Sequence, residues 1–193
     1  MREAETGGEK PSNRRKYLTP DQARRVIAAA GKVGRYAGRN KLLLTLIYKH
    51  GLRVSEVVDL RWSDVDLDAP KGRTLYVRRL GGSKDGTHTL EYDTVRLLKR
   101  HRADAHGVHV FRSERGGPMS VDAVQVIVKR AGVEAKLKFQ VHPHMLRHAC
   151  GSALAEEGAH ARLIQDYLGY KDIRNTDVYS GTSATRPARI QVR

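Results

Sequence analysis

The chain has 193 residues, 39% of them hydrophobic and 30% charged, which suits one globular domain with a sizeable core. Its 36 Lys and Arg against 21 Asp and Glu leave a formal charge of +15, which favours a polyanionic partner, nucleic acid before an anionic membrane surface. The longest apolar run, LLLTLIY at 42–48, is too short to cross a bilayer and no apolar leader opens the chain. Cys150 is the only cysteine, which excludes an internal disulfide framework and a cysteine-rich zinc site, so a cytoplasmic protein is expected.

Residues 1–16 are polar and charged and carry Gly and Pro; they read as a flexible basic tail ahead of a domain over 17–193. In LTPDQARRVIAAA, Thr19 fits an N-cap, Pro20 the first helical residue and Gln22 the capping-box partner. A second helix is predicted from about Arg39 to His50, stopped by Gly51. RVSEVVDL predicts a short third helix with Val54, Val57, Val58 and Leu60 inward. RTLYVRRL and THTLEY, joined by a GGSKDG loop, predict a hairpin, with VHVFRS at 108–113 as a third short strand. Between them a helix spans about Asp93 to Arg102, and Ser120 caps another that runs to about Ala131. Helices over His144 to Glu157 and Ala161 to Leu168, the latter stopped by Gly169, complete an α+β, mostly α domain with a small three-stranded antiparallel sheet.

The stretch HPHMLRHACG at 142–151 is dense in chemistry. On a helix, Met145, Leu146, Ala149, Cys150, Ala153 and Leu154 form one apolar stripe, and His144, Arg147, His148 and Gly151 fall on the opposite face. Three readings are open: a metal held by His144 and His148, a solvated polar face, or an anion site. In the last, the Arg147 guanidinium forks onto phosphate oxygens beside an imidazole able to move a proton. The positive charge of the whole chain favours the anion site.

HGLRVSEVVDLRWSDVDL, HPHMLRHACGSALAEEG and RLIQDYLGYKDIRNTDVY, in that order, resemble the tyrosine recombinase (phage integrase) family over Tyr17 to Gly181. The wording is most similar to its short members, those that invert fimbrial promoter switches. The resemblance implies that Arg53 and Arg147 are the two arginines gripping a DNA phosphate and that Glu56 helps order the site. It makes His144 the histidine of H-x-x-R, and Tyr179 the nucleophile that forms a 3′-phosphotyrosyl bond and releases a 5′-hydroxyl. It further implies site-specific recombination on double-stranded DNA by a homo-tetramer across two sites, with no metal or nucleotide cofactor and no membrane partner. The residue types suit that chemistry. A free tyrosine, with a pKa of about 10, is a poor nucleophile near neutrality. Two arginines stabilise the charge building on phosphorus, and a histidine can take or return a proton.

Two departures from the family pattern stand out. Gly81 occupies the place where relatives carry a hairpin lysine, so Lys84 either swings in to protonate the leaving 5′-oxygen or stays a solvated loop lysine. Tyr170 replaces a phosphate-contacting histidine; its hydroxyl can donate a hydrogen bond but carries no charge. Each departure predicts slower cleavage rather than another reaction. Tyr48 and Tyr167, the latter on a stripe with Leu163, Ile164 and Leu168, read as core, and Trp62 as packing. His50 and His142 read as structural or solvent-facing, and His148 as lining either the site or a solvated face. The rival readings are a non-catalytic DNA binder of the same fold, a helix-turn-helix over 145–168, and a type IB-like topoisomerase.

Overall fold

The computed structural model describes residues 17–69, 72–79 and 83–170. The expected tail, Gly81 and Tyr179 lie outside the described residues. Helix α1, Pro20–Ala30, begins as its first residues require: the Thr19 hydroxyl accepts the Gln22 N–H at 3.2 Å, and the Gln22 side chain accepts the Thr19 N–H at 3.1 Å. Helix α2, Ala37–His50, starts two residues earlier than the sequence suggested. Leu42, Leu43, Leu44, Leu46 and Ile47 are all fully buried, so α2 is apolar on most of its circumference and runs through the middle of the domain. It packs against α1 on one side and, on others, against α4 (Tyr92–Ala103) and α6 (Pro143–Glu156).

Gly51 ends α2 in the left-handed conformation, φ 57° and ψ 35°. No other residue fits well there, since a Cβ would also land on the Leu168 side chain. The chain turns at once into α3, Val54–Val58, with Val57 and Leu60 buried and Val54 and Val58 partly buried against the core. After a 3-10 turn at Trp62–Asp64 come β1 (Val65–Asp66), β2 (Thr74–Val77) and β3 (Gly86–Thr89), an antiparallel sheet in that order. Its third strand is therefore Val65–Asp66 and not 108–113, as the sequence led one to expect. The latter segment makes isolated bridges only, Arg61 with His109 and Arg112 with Pro118. It closes on its own turn instead: Ser113 N–H reaches the Gly117 carbonyl at 2.8 Å, and the Arg112 guanidinium folds back on the Gly116 carbonyl.

Helix α5, Val121–Glu134, is capped by the Ser120 hydroxyl, which accepts the Ala123 N–H at 3.1 Å. The last described helix, α7, is Ala161–Leu168 and ends at Gly169, again left-handed at φ 65° and ψ 46°. The apolar stripe of α6 holds at Met145, Leu146, Ala149 and Cys150, which are buried, while Ala153 and Leu154 are only partly so. On α7, Ile164 and Leu168 are buried, Tyr167 is partly buried, and Leu163, expected inward, is 43% exposed. Tyr48 and Trp62 pack partly buried against the core, as expected. No helix of the described residues is long and apolar enough to cross a membrane.

One polar group in this core has consequences for acid stability. The period of β3 turns His88 inward opposite Leu75, its ring 5.5 Å from that of His50 and stacked at 4.0 Å on Tyr167. Burial, reinforced by neighbouring positive groups, pushes both imidazoles down from 6.5 to about 3. The fold therefore refuses protons that the unfolded chain accepts. This contribution is complete above pH ~6.5 and is lost as pH falls toward ~3, at up to about 1.4 kcal/mol per pH unit for each group. The wild-type melting temperature should fall between pH 6.5 and 5, and His88→Phe should flatten that decline in circular-dichroism melts. A wild-type curve level across that window would contradict two neutral buried imidazoles.

Candidate active site

A helix ends with carbonyls that have no partner within it. At the end of α7 three consecutive ones, those of Tyr167, Leu168 and Gly169, each accept a guanidinium N–H. Arg79 Nη2 donates to Tyr167, Arg147 Nη2 donates to Leu168 at 2.5 Å, and Arg53 Nη2 donates to Gly169 at 2.9 Å. The negative end of the helix dipole thus faces three cations from distant parts of the chain. Arg53 is the N-cap of α3, Arg147 lies in the second turn of α6, and Arg79 follows the end of β2.

Glu56 sits among them, its side chain 2% exposed. Its Oε1 accepts Arg53 Nη1 at 2.7 Å, and its Oε2 accepts both the Arg53 backbone N–H and Arg79 Nη1 at 2.7 Å. Arg147 Nη1 stands 3.9 Å from Oε2 and donates to the Gly51 carbonyl. The turn that Gly51 forms therefore supplies a hydrogen-bond acceptor to the site as well as a change of direction. Three guanidiniums against one carboxylate leave an excess of positive charge, and such an excess suits an anion. Arg53 is the most open of the three, with its side chain 28% exposed against 5% for Arg147 and 1% for Arg79.

Tyr170 follows directly. Its N–H returns to the Gln165 carbonyl at 3.0 Å and its carbonyl accepts the Gln165 amide at 3.1 Å, which holds the partly buried ring 4.9 Å from the Arg147 guanidinium carbon. Behind it the Tyr167 hydroxyl donates to the Lys49 carbonyl at 2.9 Å; burial pushes that hydroxyl far above its ordinary range, which suits a packing role and not a nucleophile. The buried Cys150 thiol is likewise pushed up to about 12, chiefly by desolvation, and is no nucleophile at neutral pH.

Of the residues the sequence singled out, the structure gathers Arg53, Glu56, Arg147 and Tyr170. His144 stays exposed one turn before Arg147, its ring 6.5 Å from that of the exposed His142. Lys84 is exposed beside Asp85, on the hairpin. On the face of α6 carrying His144, Arg147, His148 and Gly151, Arg147 is 4% exposed and Gly151 is buried, while His144 is exposed and His148 half-buried, so the solvated-face alternative fails at Arg147. Among the described residues no group of three or more His, Cys, Asp or Glu is placed to hold a metal ion. Arg79 was missed by the sequence reading, although a signal existed. Strand alternation through LYVRR puts Leu75, Val77 and Arg79 on one face, and the first two are buried.

Comparison with known proteins follows the same outline. The family model described as the phage integrase family matches residues 16–186. Type 1 fimbriae regulatory protein FimE of Escherichia coli (strain K12) is 40% identical over 185 residues, which cover 92% of this chain and 91% of that protein. FimB of the same strain is 39% identical over 181 residues, covering 91% and 88%. The crystal structure of XerA recombinase superposes with a TM-score of 0.74 at 26% identity, covering 87% of this chain and 61% of that one.

Removing the carboxylate should expose how much the cluster depends on it. Glu56→Ala leaves three guanidiniums without their counter-charge in a space largely closed to water, at a cost of about 3–5 kcal/mol. Urea unfolding should show that loss with an unchanged m-value, and a loss below about 1 kcal/mol would mean that the carbonyls of α7 suffice alone.

Proposed function

This chain belongs to the phage integrase family, and on that premise we propose that its arginine cluster holds the scissile phosphate of a recombination site. The protein is a DNA strand transferase that performs site-specific recombination. The observation carrying the assignment of the site is the net positive cluster of Arg53, Arg147 and Arg79 about Glu56, with Arg53 partly open to solvent.

In this reading Arg53 and Arg147 grip the non-bridging phosphate oxygens, and the Tyr179 oxygen attacks phosphorus. A phosphotyrosyl bond forms at the 3′ side while the bond to the 5′-oxygen breaks, so no hydrolysis intervenes and no metal or nucleotide is consumed. The ester keeps the bond energy for the return step, in which a 5′-hydroxyl of the partner strand displaces the tyrosine. His144, exposed at the mouth of α6, takes the phenolic proton and gives it back. Lys84 protonates the leaving 5′-oxygen, carried on a hairpin whose neck is fixed by Asp85. That carboxylate accepts the Arg79 backbone N–H at 2.8 Å and the Tyr76 hydroxyl at 2.7 Å, and these bonds hold it below the usual carboxylate range. Tyr170 stacks on Arg147 and offers its hydroxyl to the phosphate. The partner is double-stranded DNA, the working unit four copies on two sites, and the compartment the cytoplasm.

A second reading, a DNA-binding regulator with little or no cleavage, is favoured by the exposed Lys84 and by an uncharged side chain at 170. A nicked suicide substrate decides between them. Wild type should trap a covalent 3′ adduct and Tyr179→Phe none; equally little adduct from both would leave the regulator. Lys84→Ala should slow adduct formation at least tenfold on ordinary DNA, yet match wild type on DNA with sulfur at the bridging 5′ position, which leaves without a proton. An equal deficit on both substrates would remove Lys84 from the proton-transfer role.

A further inference from the structure

Arg79 is the most deeply buried of the three arginines: its side chain is 1% exposed and its two terminal nitrogens are engaged, one by Glu56 Oε2 and the other by the Tyr167 carbonyl. Its stem lies directly on Gly169, where a Cβ would come within 2.9 Å of the Arg79 Cδ and Nε. A buried arginine is costly, and desolvation does lower its basicity here, with Glu56 pulling the other way. Such a group persists only where its surroundings use it.

We propose that Arg79 is a positioning residue for strand cleavage, a third guanidinium that sets the charge and the aim of the two arginines facing the phosphate. The proposal rests on the recombinase reading above. Two features carry it. First, Glu56 has two oxygens. If Arg53 and Arg147 alone had to satisfy them, the carboxylate would compete with the phosphate for both forks. Arg79 takes one Oε2 bond at 2.7 Å, while Arg147 Nη1 stays 3.9 Å away from that oxygen. Arg147 is therefore left to the Gly51 and Leu168 carbonyls, with no hydrogen bond to the carboxylate, beside Tyr170. Second, Arg79 is a mechanical joint. Its backbone N–H ties it to Asp85 across the hairpin neck at 2.8 Å, and its guanidinium ties it to the end of α7. Along one residue the loop bearing Lys84 is registered against the carbonyls that hold Arg53 and Arg147.

The test compares wild type with Arg79→Met, Arg79→Lys and a core control, Val128→Ala, whose side chain is fully buried in α5 and makes none of the cluster's hydrogen bonds. Adduct formation is followed in single turnover at saturating suicide substrate, and affinity for the same DNA by gel shift, both well below every variant's melting temperature. Arg79→Met should slow adduct formation by about 100-fold, the scale of a small misplacement of reacting groups, while the dissociation constant changes less than threefold. Arg79→Lys, which keeps the charge but not the fork, should fall between Arg79→Met and wild type. Val128→Ala should lose melting temperature and keep its cleavage rate. If Arg79→Met cleaves at the wild-type rate, or Val128→Ala slows in step with its lost stability as Arg79→Met does, the positioning role is overturned and the recombinase reading stands. If wild type itself forms no adduct, the recombinase reading fails and the proposal fails with it.

Discussion

Three arginines and a glutamate share a space largely shut off from water, and the fold around them is arranged to make that tolerable. Like charges this close repel, and burying them costs several kcal/mol each unless their N–H groups are matched. Glu56 cancels one charge, and the C-terminal carbonyls of α7 oppose the others with partial negative charge. For that balance to form, the turn after α2, the first turn of α3, the end of β2, the second turn of α6 and the end of α7 must arrive at one place. Segments far apart in the chain are thereby fixed relative to each other to within hydrogen-bond tolerance. The same constraint explains why glycines stand at 51 and 169: each ends a helix in a left-handed turn where another chain element presses too close for a Cβ.

Local signals made much of the architecture readable. The Thr19 and Gln22 box, the Ser120 cap and the glycine stops act within a few residues of themselves, and each was placed correctly. Arg53, Glu56 and Arg147 were singled out because motif wording preserves their spacing. What escaped depends on tertiary contacts. Arg79 and His88 are polar residues on the inward register of their strands, and a period of two marks the face without saying that a charge or an imidazole would be accepted there. The burial of Arg147 was likewise beyond local reading, because the carbonyls it meets, those of Gly51 and Leu168, come from other elements. The 108–113 stretch has strand-forming composition, but Arg112 ties it to its own turn, and a two-residue segment near Trp62, too short to notice, takes the sheet edge instead.

A helix-turn-helix reading of 145–168 leaves the arginine cluster unexplained. A recognition helix needs a face free to enter a groove, together with a first helix that merely supports it. Here α6 contributes a buried arginine to a shared cluster, and α7 presents its carbonyl end to the three guanidiniums. Only a small part of the chain's +15 net charge is gathered in this cluster; the remaining lysines and arginines act by long-range attraction.

Helix α7 is the last described element in chain order and only eight residues long, yet three cations lean on its terminus. A chain emerging from the ribosome carries Arg53, Glu56, Arg79 and Arg147 well before the carbonyls that orient them. The cluster can therefore close only after residue 169 has been added.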